Sequence, residues 1–336
     1  MNPYFAVQWH VTERCDQRCK HCYIYNGKSL VNTELSIEIL ETILKDFIHC
    51  CKLMERTPMI SVTGGDPLLY SQIWEFLELL HKNSVKFSIL GNPFHLNDEV
   101  AKRLKELGCY NYQMSIDGLR ETHDFIRKKG SFDATLDKIE CLNKSGICST
   151  IMTTVSTTNI DEIVELVPII VKAKVKNFSF ARYCPSEEDR QNIITPEQYK
   201  KFLENMWNAF EKYKDCGTRF SLKDHLWKLF LYERGLFDTS YDEDIIFDGC
   251  HCGITHMTIL PNGEVYACRR CESKIGKVPE QSLYDIFYSE NLNEYRQFDK
   301  FKKCSDCELL RFCRGCPAVA KCTTGDFYAP DPQCWK

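Results

Sequence analysis

The 336-residue sequence contains no apolar run approaching the roughly 20 residues needed to cross a bilayer. Its opening, MNPYFAVQWH, has neither a basic n-region nor an h-region. These absences exclude a membrane-spanning helix and a secretion signal, and make the cytoplasm the expected location. A large excess of charge of either sign is missing too. Lys+Arg number 43 against 47 Asp+Glu, a net charge of −4, so neither nucleic acid nor a membrane surface is expected as a partner. There is no low-complexity tract. Residues 250–336 are short of the apolar side chains that an ordinary core needs.

Cysteine, by contrast, is abundant, with twenty in the chain, ten of them in 250–336. Without a secretion signal they are expected to stay reduced unless a metal holds them, and a segment poor in apolar residues needs such a metal to fold. From Tyr4 to about Lys214 short β-rich runs alternate with stretches of helical period, the pattern of βα units around a parallel sheet. Six strands are predicted, at Tyr4–Trp9, Met59–Thr63, Val85–Leu90, Tyr110–Ile116, Ser149–Val155 and Asn177–Arg182. They read as near-continuous apolar runs covered on both faces. Helix stripes lie at Ile37/Leu40/Ile43/Leu44/Phe47/Ile48 and at Ile160/Ile163/Leu166/Val167/Ile170, while Gly108, Gly146 and Thr195-Pro196-Glu197-Gln198 supply helix ends. The predicted organisation is an α/β barrel unit over 1–214, a bridging segment over 215–249 and a Cys-rich unit over 250–336 with a hairpin at Pro261-Asn262-Gly263.

Directly after the first strand stand Cys15, Cys19 and Cys22, spaced C-x3-C-x2-C and followed by Tyr23. Structural zinc closes with four ligands, whereas three thiolates on a [4Fe–4S] cube leave one iron open. This loop resembles the signature of the radical S-adenosylmethionine (SAM) enzymes. The resemblance implies a partial (β/α)6 TIM-type barrel, SAM chelated by the open iron, and its reductive cleavage to a 5′-deoxyadenosyl radical. Gly64-Gly65-Asp66-Pro67 is similar to the family turn that meets the SAM amino group, with Asp where the family has Glu. The run Gln113 to Gly118, with His123, Asp124, Arg127 and Gly130-Ser131-Phe132, resembles the subgroup that carries a SPASM domain. By that resemblance Ser115 and Arg127 hold the SAM carboxylate and Tyr23 is a further cofactor-binding residue. Asp117 stands either as a further contact or as a turn cap.

The later cysteines resemble the SPASM pattern, which implies two auxiliary [4Fe–4S] clusters and three clusters in all. The outer one would take Cys304, Cys307, Cys313 and Cys334. The inner one would take Cys252, Cys268 and Cys316, with Cys250 as a fourth ligand or the iron left open. Cys313-Arg314-Gly315-Cys316 is one residue shorter than the usual family spacing. Cys271 and Cys322 remain as spare or alternative ligands. Cys184, after the sixth strand, reads either as a buried thiol or as a hydrogen-atom donor at the barrel mouth.

The resemblance implies an oxidoreductase that matures a ribosomally made precursor peptide by cross-linking or epimerisation under anaerobic conditions. Its partners would be a short precursor peptide and reduced flavodoxin or ferredoxin as electron donor. Because the first strand begins at the start of the sequence, a leader peptide would need a separate recognition protein or a groove in the barrel. Tetrapyrrole-modifying enzymes of the same architecture are the alternative. Sulfatase-type maturases fit less well, since Arg269 follows Cys268 where that group resembles a pattern with a catalytic Asp.

Overall fold

The computed structural model describes residues 3–24, 34–240, 246 and 248–336, so positions 241–245 and 247 of the expected bridge lie outside the described residues. Among the described residues there are ten strands: β1 (Tyr4–Thr12), β2 (Thr57–Gly64), β3 (Phe87–Leu90), β4 (Cys109–Ser115), β5 (Cys148–Val155), β6 (Asn177–Arg182), β7 (Arg219–Phe220), β8 (His256–Ile259), β9 (Glu264–Tyr266) and β10 (Lys274–Lys277). The six predicted strands are β1 to β6, with ends moved by up to three residues. No helix among the described residues is long and apolar enough to cross a membrane.

Two compact units divide the chain, and each is assembled from separate stretches of it. The first comprises 1–115, 127–150 and 252–296. Its strand order is β10-β9-β8-β1-β2-β3-β4. The strands from β8 through β4 run parallel, and β9 and β10 turn back antiparallel. The hairpin predicted at 261–263 is present as β8 and β9, and β8 extends the barrel sheet by lying parallel to β1.

Side chains along β1 alternate. Phe5, Val7, Trp9 and Val11 are buried, with Phe5 6.1 Å from Phe47 on the helix Ile37–Leu53 and Trp9 5.0 Å from Phe76 on the helix Ile73–Lys82, measured between ring centroids. The opposite face carries polar groups in one register row: Thr258, Gln8, Ser61, Ser88 and Asn111. Ser88 Oγ donates to Ser61 Oγ at 3.0 Å. The expected near-continuous apolar strands are therefore apolar on the helix-facing side only. In this hydrogen-bonding row Thr258 and Ser88 are buried and Gln8, Ser61 and Asn111 half-buried.

The second unit comprises 116–126, 151–251 and 297–336 and holds the strand order β5-β6-β7. β7 is a two-residue strand beside β6, beyond the point where the sequence pattern stops. Two residues are too few to leave a periodic signal. Phe178 and Phe180 of β6 anchor an aromatic core, with Phe180 5.0 Å from Phe202 and 5.9 Å from Trp227. The helix Pro196–Lys212 begins with the predicted capping box, Thr195 accepting from Gln198 N–H and Gln198 Oε1 accepting from Thr195 N–H. Gly108 and Gly146 carry the left-handed φ values, +98° and +69°, expected of residues that stop helices.

Candidate active site

The Cys15–Cys22 loop leaves the end of β1. Cys15 Sγ accepts from Gln17 N–H at 3.4 Å and lies 3.8 Å from Asn92 Nδ2, while Arg127 Nη1 lies 3.7 Å from Cys19 Sγ. Burial pushes the Cys15 thiol up to about 11, with Asp66, Cys19 and Asp16 adding to the effect against the Gln17 hydrogen bond. A thiol held this high stays protonated at neutral pH, so a bound metal must supply the charge that makes it a thiolate. Three half-exposed cysteines on one loop fit a cluster with an open iron.

Gly64 and Gly65 are pressed against the start of that loop. A Cβ on Gly64 would lie 2.1 Å from Thr12 O and one on Gly65 would lie 2.2 Å from Arg14 O. Gly65 N–H and Asp66 N–H donate to those two carbonyls. The glycines thus fasten the turn to the cysteine loop. Asp66 is fully buried; its Oδ1 accepts from Leu68 N–H at 3.2 Å, and its Oδ2 has no partner. Burial raises its carboxyl to about 7. An orphaned buried carboxylate oxygen beside the cysteine loop fits a cationic group such as the SAM ammonium.

Around Asp66 stand residues that no motif had singled out. Asp16 accepts from Asn92 Nδ2 at 2.8 Å and lies 3.5 Å from His95 Nε2 and 3.7 Å from Lys128 Nζ. Asn92 is fixed in turn by Tyr112, whose hydroxyl donates to its carbonyl at 3.1 Å. These groups come from four separate stretches of chain, so spacing alone could not group them.

At the end of β4, Ser115 shares the inner face with Asn111 and Gln113. The Asp117 carboxylate accepts from Thr154 N–H at 2.7 Å, and its own N–H donates to His123 Nδ1. Asn159 donates to its carbonyl. The Asp117 carboxylate is thus tied to β5, while in the turn that follows it Leu119 N–H donates to Glu162 Oε2.

In the second unit Cys304, Cys307, Cys313 and Cys334 lie near enough for their charges to be felt within the set. Burial raises Cys304 to about 11 and raises Cys313 and Cys334, and each of these thiols also feels the charge of neighbouring cysteines in the set. The short Cys313-Arg314-Gly315-Cys316 loop closes through positive φ at two successive residues, Arg314 at +131° and Gly315 at +60°. Arg314 is held there by the carbonyls of Leu310, Asp248 and Cys250. A Cβ on Gly315 would come within 2.3 Å of the Asp331 side chain.

Arg182 was visible in the sequence only as a polar strand end. It is a fully buried clamp, donating to Asp224 at 2.9 Å, to both oxygens of Asp331 at 2.5 and 2.8 Å, and to Gln333 at 2.9 Å. Asp331 also accepts from Cys316 N–H. One cation therefore positions the backbone at Cys316 and the residue before Cys334. Cys250 is hydrogen-bonded to His225, which also feels the charge of Cys316. A lone histidine in this sequence carries no motif that would have revealed it.

Cys252 and Cys268 belong to the first unit, where Tyr295 feels both Cys252 and Cys271, and Ser273 closes a tight loop by bonding the Cys268 and Cys271 carbonyls. Cys184 is half-buried after β6. Cys50, Cys51, Cys109 and Cys141 are buried, Cys148 and Cys322 are half-buried, and Cys216 is exposed.

Residues 9–167 match the Radical SAM superfamily and residues 250–317 match SPASM, an iron-sulfur cluster-binding domain. The chain is 24% identical to the AdoMet-dependent heme synthase of Methanosarcina barkeri, over 98% of this chain and 95% of that protein. It is 27% identical to the mycofactocin maturase MftC of Mycolicibacterium smegmatis, over 98% and 82%. In fold it is similar to Streptococcus suis SuiB, solved with its precursor peptide SuiA, with a TM-score of 0.77 at 20% identity over 100% of this chain and 77% of that one. The chain is an enzyme that carries a radical SAM domain and a SPASM domain, for which SAM and [4Fe–4S] clusters are the cofactors.

Proposed function

We propose that this enzyme abstracts a hydrogen atom from a side chain of a tetrapyrrole and completes the reaction by oxidation through its auxiliary clusters. The observation that carries the reading is the inner row Thr258, Gln8, Ser61, Ser88 and Asn111, which offers hydrogen bonds and no acid or base. Such a wall suits a substrate whose C–H bond is broken homolytically without proton transfer to the protein. The end-to-end likeness to a heme synthase supports the substrate class.

In this reading Cys15, Cys19 and Cys22 hold the SAM cluster, with Tyr23 beside them. Asp66, Gly64 and Gly65 form the seat of the SAM ammonium, and Ser115 and Arg127 that of its carboxylate. Bound there, SAM supplies the hydrogen-abstracting radical. Cys304, Cys307, Cys313 and Cys334 hold one auxiliary cluster, and Cys250, Cys252, Cys268 and Cys316 are the ligands assigned to the other. Reduced flavodoxin or ferredoxin is the electron donor. Residues 1–214 act as the radical-generating part, 215–249 as a bridge and 250–336 as the auxiliary-cluster part, in the cytoplasm.

A second reading, maturation of a short precursor peptide, is favoured by the likeness to MftC. Cys184 would then be the residue to test as a hydrogen-atom donor to an epimerising peptide. The experiment that decides is anaerobic incubation of reconstituted enzyme with SAM, dithionite and either a propionate-bearing iron porphyrin or candidate peptides, followed by mass spectrometry. Loss of carbon dioxide and two hydrogens from the porphyrin is the expected result. Loss of two hydrogens from a peptide, with the porphyrin untouched, would put the second reading in its place.

A further inference from the structure

In the first unit, three side chains distant in sequence meet at the inner end of β1. Arg269 follows Cys268 in the loop after β9, and its guanidinium lies 5.2 Å from the centre of the Tyr23 ring and 6.0 Å from that of Tyr266. Its Nε is buried and unpartnered, and among the described residues no carboxylate pairs with it. His10 is 1% exposed and its Nε2 is also unpartnered, with its ring 6.4 Å from that of Tyr23. Gln8, two residues back on the same face of β1, is hydrogen-bonded to the Tyr23 side chain. Burial, with the positive charge of Arg269 and the nearness of His256, holds His10 in its neutral form.

The arrangement is therefore one permanent cation and one neutral imidazole, each with a donor or acceptor removed from water and left unmatched beside the same phenol. Buried polar atoms without partners are rare, and two around one ring mark a place where a ligand completes the bonding. A guanidinium is planar and presents paired donors, which match the two oxygens of a carboxylate. Arg270 adds to the positive potential felt at Tyr23. A neutral substrate group would leave the Arg269 charge uncompensated, and a cation would be repelled.

We propose that Arg269, together with His10 and Tyr23, anchors a carboxylate of the substrate, and so selects the carbon presented for hydrogen abstraction. This rests on the reading that the substrate lies along the inner face of β1. It narrows the substrate class to molecules carrying a free carboxylate, and it gives Arg269 a binding role at the position where sulfatase-type maturases resemble a pattern with an acidic base.

The test is optical titration of the reconstituted, SAM-loaded holoenzyme with heme and with heme dimethyl ester, whose carboxylates are masked. Heme should bind at least about tenfold more tightly than the ester, and Arg269→Gln should bring heme down to the ester's affinity while Arg269→Lys restores part of the difference. Since Arg269 adjoins a cluster cysteine, iron content is measured for each variant, and His10→Phe, which changes no residue next to a cysteine in sequence, should reduce the preference for heme on its own. Equal binding of heme and ester by the parent enzyme, or an unchanged preference in iron-replete Arg269→Gln, overturns the anchor and leaves the tetrapyrrole reading standing. If the parent binds neither porphyrin, the tetrapyrrole reading fails, and the anchor is decided with glutarate and glutaramide by electron paramagnetic resonance of the reduced clusters. A saturable change with glutarate alone, lost in Arg269→Gln and kept in Arg269→Lys, upholds the anchor. No change with either compound overturns it.

Discussion

The Cys15–Cys22 loop and the Cys304–Cys334 constellation both gather thiols, yet they are built in opposite ways. The first is a half-exposed loop of three cysteines, held by glycine-to-backbone contacts and edged by the polar groups Asp66, Asp16 and Asn92. The second gathers four cysteines in a small-cored segment tied down by the buried Arg182–Asp331 pair. An open set with one ligand fewer suits exchange of a bound molecule. A closed set tied into the fold suits a permanent cluster and shares its stability.

That contrast breaks first at the cysteines. Replacing Cys15, Cys19 and Cys22 together by Ala should abolish release of 5′-deoxyadenosine and remove about a third of the iron while the melting temperature barely moves. Replacing Cys304 and Cys313 should instead lower the melting temperature by more than about 5 °C, because the metal supplies folding energy there. Equal thermal losses in the two variants would erase the distinction.

Arg182→Met comes next. It leaves Asp224 and Asp331 buried without their cation, so the holoprotein should lose about 3–5 kcal/mol in denaturant unfolding together with auxiliary-cluster iron. SAM cleavage by the N-terminal loop, assayed without substrate, should persist in the folded fraction. A silent Arg182→Met would mean that the clamp does not secure the cluster segment.

The open site has its own signature in pH. Asp66 is raised to about 7 in the folded protein from an ordinary carboxyl value of 3.8. The folded state therefore holds the proton more tightly, and the stability this contributes is full below about pH 4 and falls as pH rises through 7. Iron-free parent protein should lose stability across that window relative to Asp66→Asn, measured by urea unfolding at several pH values. Parallel pH profiles for the two proteins would show that the carboxyl is not perturbed.

The smallest effect is at Asp117. Asp117→Ala should cost about 1–3 kcal/mol through the stranded Thr154 N–H, with SAM affinity in equilibrium dialysis changed by less than about twofold. A tenfold loss of SAM affinity at unchanged stability would make Asp117 a ligand contact after all.

The sequence by itself determined the order of βα units and the helix ends at Gly108, Gly146 and Thr195, and it carries the cysteine spacings over 15–22 and 304–316. Each of these is written in local spacing: a period of 2 or 3.6, a cap residue beside its helix, or thiols a few residues apart. Tertiary structure alone decided that the 261–263 hairpin extends the barrel sheet through β8, that the Asp117 carboxylate is tied to β5 at Thr154, and that Arg182 reaches Asp331 across about 150 residues of chain. It also brought Arg269 to His10 and Tyr23, and Asp16 to His95 and Lys128. None of these pairs has a characteristic spacing, because burial in a shared fold sets which distant polar groups meet and which remain without a partner.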